Sequence, residues 1–149
     1  MARTSYSAIQ LAEEYYSLAL KLMEKKRYAD AVRKFRKAIS LYRDNHLFHY
    51  KLGNALFYTG KYLEAIEEFD VAISINPGYI NAHYNKGVIL MEEFKWYEYA
   101  LEEFDKVISL DQNDVDAHRR KADCLYYLGR YEEAAEEYTV VMSFDRSYW

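Results

Sequence analysis

Two sets of residues in this chain have types and spacing that invite chemistry. The first is histidine. His46 and His49 stand one helical turn apart, and His49, His83 and His118 recur at intervals of 34 and 35 residues. Three imidazoles could hold zinc if their nitrogens all came within about 2.0–2.1 Å of one ion. The second is the adjacent carboxylate pairs Glu67-Glu68, Glu102-Glu103 and Glu136-Glu137, which recur with the same period. Paired carboxylates can do general acid–base work when one is tuned against the other.

The regular recurrence weakens both readings. Residues that repeat in register lie on successive equivalent helices, about 8–10 Å apart or more, too far for three histidines to close on one metal. Packing is the better role for them, and no metal or cofactor is expected. The glutamate pairs read as a solvated outer helix face. There is no Gly-rich phosphate loop and no supported Ser/His/Asp set, so the chain is read as a non-enzyme.

The period itself says what must position these residues. Ala, three residues, then Phe or Tyr occurs at Ala31/Phe35, Ala65/Phe69, Ala100/Phe104 and Ala134/Tyr138, spaced 34, 35 and 34 residues apart. Tyr28, Tyr62, Tyr97 and Tyr131 each precede the Ala by three. Such a period predicts a solenoid of helix pairs. First helices are expected near 6–24, 46–58, 80–93 and 114–128, and second helices near 28–42, 62–75, 97–110 and 131–144. Tyr62, Ala65, Ile66, Phe69, Ala72 and Ile73 fall at steps of three and four on one helix face. Thr59-Gly60-Lys61 and Leu128-Gly129-Arg130 mark tight turns, where Gly takes the left-handed conformation. Pro77 stops the second pair. One proline and five glycines in 149 residues leave few helix breakers, which suits an all-α chain.

These residues carry a family resemblance. Leu52-Gly53, Leu56, Gly60, Tyr62, Ala65, Phe69, Ala72 and Pro77 stand in the order of the tetratricopeptide repeat (TPR), and the likeness extends over residues 8 to 145. It implies a right-handed superhelix, a solenoid of antiparallel helix pairs, forming one TPR domain over 1–149 with repeats near 12–45, 46–79, 80–114 and 115–148. The chain departs from the family pattern in three ways. Tyr15, His49, His83 and His118 stand where a large aromatic, often Trp, is usual. Lys86 and Lys121 replace the usual Leu, and the third turn carries one extra residue around Phe94-Lys95-Trp96.

The resemblance further implies that the first helices line a concave groove that binds a peptide or protein segment. Around Ala19, Gly53, Gly87 and Ala122, residues at offsets −3, +1 and +4 form one stripe per helix. They are Tyr16, Leu20 and Met23; Tyr50, Asn54 and Phe57; Tyr84, Val88 and Met91; and Arg119, Asp123 and Tyr126. With the polar spots Asn85 and Arg120 added, the expected peptide-binding set is Tyr50, Asn54, Phe57, Tyr84, Asn85, Met91, Arg119, Arg120 and Tyr126. Aromatic residues, Met and Arg are what binding surfaces favour. Some relatives clamp the acidic tails of chaperones with two Lys, two Asn and one Arg. Asn54, Asn85 and Arg120 match three of those positions, but Tyr50 and Asp116 occupy the lysine positions, and an Asp there repels a carboxylate.

Charge is uneven along the chain. Residues 21–43 hold nine basic and two acidic residues, net +7, whereas ten basic oppose twenty acidic residues from Asp44 onward, net −10. The basic stretch suits an acidic partner or a second copy of this chain, so a self-assembling module is the alternative to an adaptor. Nucleic acid is disfavoured, because the acidic remainder would repel phosphates. Cys124 is the one cysteine and cannot form an internal disulfide, and no run approaches the ~20 apolar residues of a membrane span. A cytoplasmic or otherwise intracellular setting is the expectation. The sequence ends at Ser147-Tyr148-Trp149 just after the fourth unit. Tyr138, Val141, Met142 and Phe144 are therefore expected to lack a cover, with self-association through this end, or a longer parent chain, as the consequence.

Overall fold

The computed structural model describes residues 2–146, with side chains described for 7–145. The described residues form eight helices and no strand: α1 (Ala2–Glu24), α2 (Tyr28–Leu41), α3 (His46–Tyr58), α4 (Tyr62–Ile75), α5 (Ile80–Glu92), α6 (Tyr97–Leu110), α7 (Val115–Tyr127) and α8 (Tyr131–Arg146). The expected helices are all present, with α1 starting earlier than the sequence suggests. Contacts divide the chain into two compact units, Met1–Tyr79 and Ile80–Trp149. In the first, α1 pairs with α2, α3 with α4, and α2 packs on α3; in the second, α5 pairs with α6, α7 with α8, and α6 packs on α7.

Each hairpin closes on an aromatic ring set against a small residue. Phe35, Phe69 and Phe104 are fully buried, as are Ala31, Ala65 and Ala100 one turn earlier. The ring lies so close to the first helix that a Cβ built on Gly53 would be 2.6 Å from Phe69 Cε1, and one on Gly87 would be 3.0 Å from Phe104 Cε1. A missing side chain is what lets the two helices approach here.

The turns repeat one device. The carbonyls of Leu22, Leu56, Leu90 and Leu125 accept from the backbone N–H of Arg27, Lys61, Trp96 and Arg130 at 2.8–2.9 Å, closing the end of each first helix. The residue before each donor is left-handed: Lys26 (φ 60°), Gly60 (80°), Lys95 (57°) and Gly129 (79°). The extra residue of the third turn is absorbed between Leu90 and Lys95, so the closing bond spans six residues there and five elsewhere. First helices start on side-chain caps where the sequence supplies them. Asn45 accepts from the Leu47 N–H at 2.9 Å, and Asp114 from the Ala117 N–H at 3.0 Å.

Ser147, Tyr148 and Trp149 lie outside the described residues. Of the four apolar residues expected to be uncovered before them, Val141 is in fact buried, because it faces into the last hairpin. Tyr138 and Phe144 are partly buried, and Met142 is exposed. No helix among the described residues is long and apolar enough to cross a membrane.

Candidate functional site

Helical spacing puts Tyr50, Asn54 and Phe57, Tyr84 and Met91, and Arg119 and Tyr126 on one stripe of their helices, with Asn85 and Arg120 one position beside it, and their surroundings then differ. In the first unit Tyr50 is only 8% exposed, its ring 5.8 Å from Phe69 and 5.0 Å from Tyr79. Asn54 and Phe57 follow along the helix and are partly exposed. Phe57 touches Tyr58 and Tyr62 at 5.3 and 5.7 Å, and the exposed Tyr58 stacks on Tyr28 at 4.6 Å. Tyr16, at the same repeat position on α1, packs on Phe35 and Phe48, and its burial raises the phenol pKa above its ordinary value.

In the second unit the same position is polar. The Tyr84 hydroxyl donates to Asp116 and accepts from Arg120 Nε at 2.8 Å. Arg120 also reaches Asp116 Oδ2 at 3.2 Å and Glu92 Oε1 at 2.9 Å, and its guanidinium lies 5.5 Å from the Tyr84 ring centre. Burial and the hydrogen bond to Asp116 push the Tyr84 phenol up to about 12. Burial opposes the charge on Arg120, but Glu92, Tyr84 and Asp116 outweigh it and raise its pKa. Burial likewise opposes ionisation of Asp116, and the bonds from Tyr84 and Arg120 overcome it, leaving the carboxyl below its ordinary value. The network Tyr84–Asp116–Arg120–Glu92 thus joins α5 to α7 and already occupies Arg120, one of the two arginines that the sequence offers to a ligand. Arg119 is freer, half exposed and 3.7 Å from Asp116. Asn85 and Met91 are partly exposed on α5.

Tyr126 belongs to an exposed aromatic cluster. It contacts Tyr127 at 5.7 Å and Tyr131 at 5.3 Å, and Tyr127 stacks on Tyr97 at 4.9 Å. Tyr126, Tyr127 and Tyr131 are 53%, 60% and 62% exposed. Tyr28, Phe57, Tyr58 and Tyr62 form the matching group of the first unit.

The histidines are buried, and they do more than pack. His49, His83 and His118 each place Nδ1 against a second-helix glutamate: Glu68 at 2.7 Å, Glu103 at 2.8 Å and Glu137 at 2.8 Å. Nε2 of His49 and of His118 faces the carbonyls of Arg43 and Gln112 at 2.7 and 2.9 Å. Burial by itself would lower the His49 pKa, but its bonds to Glu68 and the Arg43 carbonyl raise it above the ordinary value. The reading of the glutamate pairs as wholly solvated is therefore corrected. Glu67, Glu102 and Glu136 are exposed, whereas Glu68, Glu103 and Glu137 turn inward and clasp the histidines. The signal for this lay in the recurrent separations of 19, 20 and 19 residues. The two lysines that depart from the family pattern join the clasps. Lys86 lies 3.2 Å from Glu103, and Lys121 lies 3.2 Å from Glu137 and 2.9 Å from Asp105. Cys124 is buried and its thiol is pushed up to about 12, chiefly by desolvation.

Comparison with known proteins agrees with this geometry. Residues 19–60 and 53–92 match a family model described as TPR repeat, and residues 97–141 match one described as tetratricopeptide repeat. The tetratricopeptide repeat and J domain-containing co-chaperone DNJ1 of Cryptococcus neoformans var. grubii serotype A is 30% identical over 86 residues, which is 58% of this chain and 16% of that protein. The crystal structure of MamA superposes with a TM-score of 0.87 at 22% identity, covering 91% of this chain and 79% of that one. The first TPR of Spaghetti (RPAP3) bound to the HSP90 peptide SRMEEVD gives 0.77 at 19% identity, covering 81% and 95%. YrrB, a TPR protein with an unusual peptide-binding site, gives 0.79 at 24% identity, covering 89% and 68%. At such identities these likenesses show a shared fold.

Proposed function

Because this chain belongs to the tetratricopeptide repeat family, we propose that it is an intracellular adaptor, each unit of which offers first-helix residues to an extended segment of a partner protein. The observation that carries this reading is the exposed aromatic cluster in which Tyr126 touches both Tyr127 and Tyr131. Large exposed aromatic surface of this kind marks a protein-binding face. Tyr and Phe give contact area at little entropic cost, and Asn54 and Asn85 offer a donor and an acceptor to an extended backbone. Asn54 and Phe57 serve in the first unit, and Asn85, Met91, Arg119 and Tyr126 in the second. Tyr50 supports its neighbours from the core, and Tyr84 and Arg120 hold α5 and α7 in register. The peptide complex of the RPAP3 repeat and the peptide site of YrrB lend support by analogy. A chaperone-type acidic tail is not the ligand proposed, because Asp116 stands at a lysine position of that clamp and engages Arg120.

A displayed random-peptide library tests this. Peptides selected on the intact chain should lose about tenfold or more in affinity to a Tyr126→Ala, Arg119→Ala variant, in line with interface hot spots. The outer pair Glu67→Ala, Glu136→Ala should change nothing. A larger effect from the outer pair would end the first-helix reading. The alternative, self-association, draws on the charge asymmetry, with twelve basic against nine acidic residues up to Tyr79 and eight against fifteen after it. Light scattering at two protein and two salt concentrations separates the two: only self-association gives a mass that rises with protein and falls with salt.

A further inference from the structure

One surface of the second unit departs from its own repeat pattern. The residue just before each second helix and the residue three later form a charged pair in three repeats: Arg27/Asp30, Lys61/Glu64 and Arg130/Glu133. The first and last of these are ion pairs at 2.7 and 2.6 Å. In the third repeat the same two positions are Trp96 and Tyr99, whose rings meet edge-on at 6.4 Å. They are 47% and 62% exposed. An ion pair at the surface has been exchanged for two large aromatic faces that the fold does not bury.

The pair is held in place. Phe94 stacks on one side of Trp96 at 4.7 Å, and the Trp96 backbone N–H donates to the Leu90 carbonyl at 2.9 Å. Beside the rings is a hollow of about 380 Å³ lined by Lys86, Leu90, Trp96, Tyr99, Glu102 and Glu103. That volume admits one side chain and its flanking backbone. The two carboxylates of the hollow differ. Glu103 is buried and faces His83, Lys86 and Lys106 at 2.8, 3.2 and 3.7 Å. Glu102 is exposed at the rim and has no ion-pair partner among the described residues.

We propose that the hollow formed by Trp96, Tyr99 and Glu102 docks an arginine side chain carried by a basic segment of a partner protein. A guanidinium is planar and weakly hydrated, stacks on an aromatic face and donates to a carboxylate in the same plane, so it uses all three groups at once. The eight basic and fifteen acidic residues from Ile80 onward favour a cationic partner and repel phosphates or an acidic peptide. This site uses a different ridge from the first-helix residues discussed above, so either reading can fail alone.

The test uses the full chain carrying Trp149→Phe, which leaves Trp96 as the sole tryptophan. Its emission is followed while a blocked Gly-Ser-Arg-Ser-Gly peptide is added, and then the same peptide with citrulline, the uncharged isostere, in place of arginine. The arginine peptide should give a saturable change, and the citrulline peptide should bind about tenfold more weakly or worse. Glu102→Gln should weaken the arginine peptide about fivefold or more. The double change Trp96→Lys, Tyr99→Glu restores the charged pair of the other repeats; by calorimetry it should abolish binding, with helical content unchanged. The Tyr126→Ala, Arg119→Ala variant should bind the probe as before. Equal binding of the citrulline peptide, indifference to Glu102→Gln, or no saturation would each overturn the proposal.

Discussion

Tyr50 and Tyr84 hold the same position in the second and third repeats and lead different lives. Tyr50 is sealed among Phe69 and Tyr79 in the first unit. Tyr84 stands in the second unit with its hydroxyl between Asp116 and Arg120. Within its own unit each tyrosine meets different neighbours, aromatic rings for Tyr50 and a charged pair for Tyr84. Where α7 supplies Asp116 and Arg120, the tyrosine becomes part of a polar bridge; where aromatic rings surround it, it becomes core. A repeat position therefore fixes where a side chain points, and its neighbours decide what it does.

The sharpest way to break this comparison is to truncate both rings. Tyr50→Ala should destabilise the protein by about 3–5 kcal/mol, the usual cost of deleting a buried aromatic. Tyr84→Ala should cost about 1–3 kcal/mol, mostly from the hydrogen bonds lost at Asp116 and Arg120. Denaturant titration of each variant measures both. Equal costs would mean that the burial difference carries no energetic weight.

The clasps offer a second contrast between the units. The Glu103 side chain is 5% exposed and faces three basic groups, whereas that of Glu68 is 26% exposed and faces His49. Glu103→Ala leaves the buried His83 ring without its acceptor and Lys86 without its counter-charge, and should cost about 2–3 kcal/mol. Glu68→Ala should cost about 1.5–2 kcal/mol, the scale of one charge-assisted bond. The same denaturation series ranks them, and a reversal would show that Lys86 and Lys106 rearrange to satisfy themselves.

Protonation sharpens the picture of the first unit. The His49 pKa in the folded protein is raised above its unfolded value, so its contribution is fully present below the ordinary imidazole pKa and is lost as pH rises through the folded value. In the window above about pH 6, where a free imidazole loses its proton, this loss should lower Tm as pH rises. Glu68→Gln removes the carboxylate responsible, and its melting curve should be flatter over that window. A wild-type Tm that climbs with pH there would show that the imidazole is not held charged by Glu68.

The helices were legible in the sequence because the 34-residue period and the Ala–Phe stripe are local patterns, and local spacing sets which face a residue occupies. The site was legible only as positions. Nothing near Tyr50 in the sequence says that Tyr79 will cap it, and nothing near Arg120 says that Glu92 will reach it from α5, since both contacts depend on packing between distant elements. The His–Glu clasps were present as recurrent spacings. They were misread because adjacent glutamates look alike in one dimension, whereas a helix turns successive residues about 100° apart, one inward and one out.

The smallest expected effect asks whether the turns of the two units are equivalent. All four hairpins need a left-handed residue, and two of them use lysine, Lys26 in the first unit and Lys95 in the second. A side chain in that conformation costs about 1–2 kcal/mol relative to glycine, while glycine adds about 0.4–1 kcal/mol of unfolded-chain freedom. The balance predicts that Lys26→Gly and Lys95→Gly each stabilise the protein by about 0.5–1 kcal/mol. Gly60→Ala and Gly129→Ala should each destabilise it by about 1 kcal/mol, although neither added Cβ would meet another atom within 4 Å. Melting temperatures of the four single variants check this. Lys95 sits in the longer turn, whose closing bond reaches six residues back to Leu90. Should Lys26→Gly stabilise while Lys95→Gly does not, the extra residue has already relieved the strain in the third repeat. The two units would then differ in their turns as well as in the surroundings of Tyr50 and Tyr84.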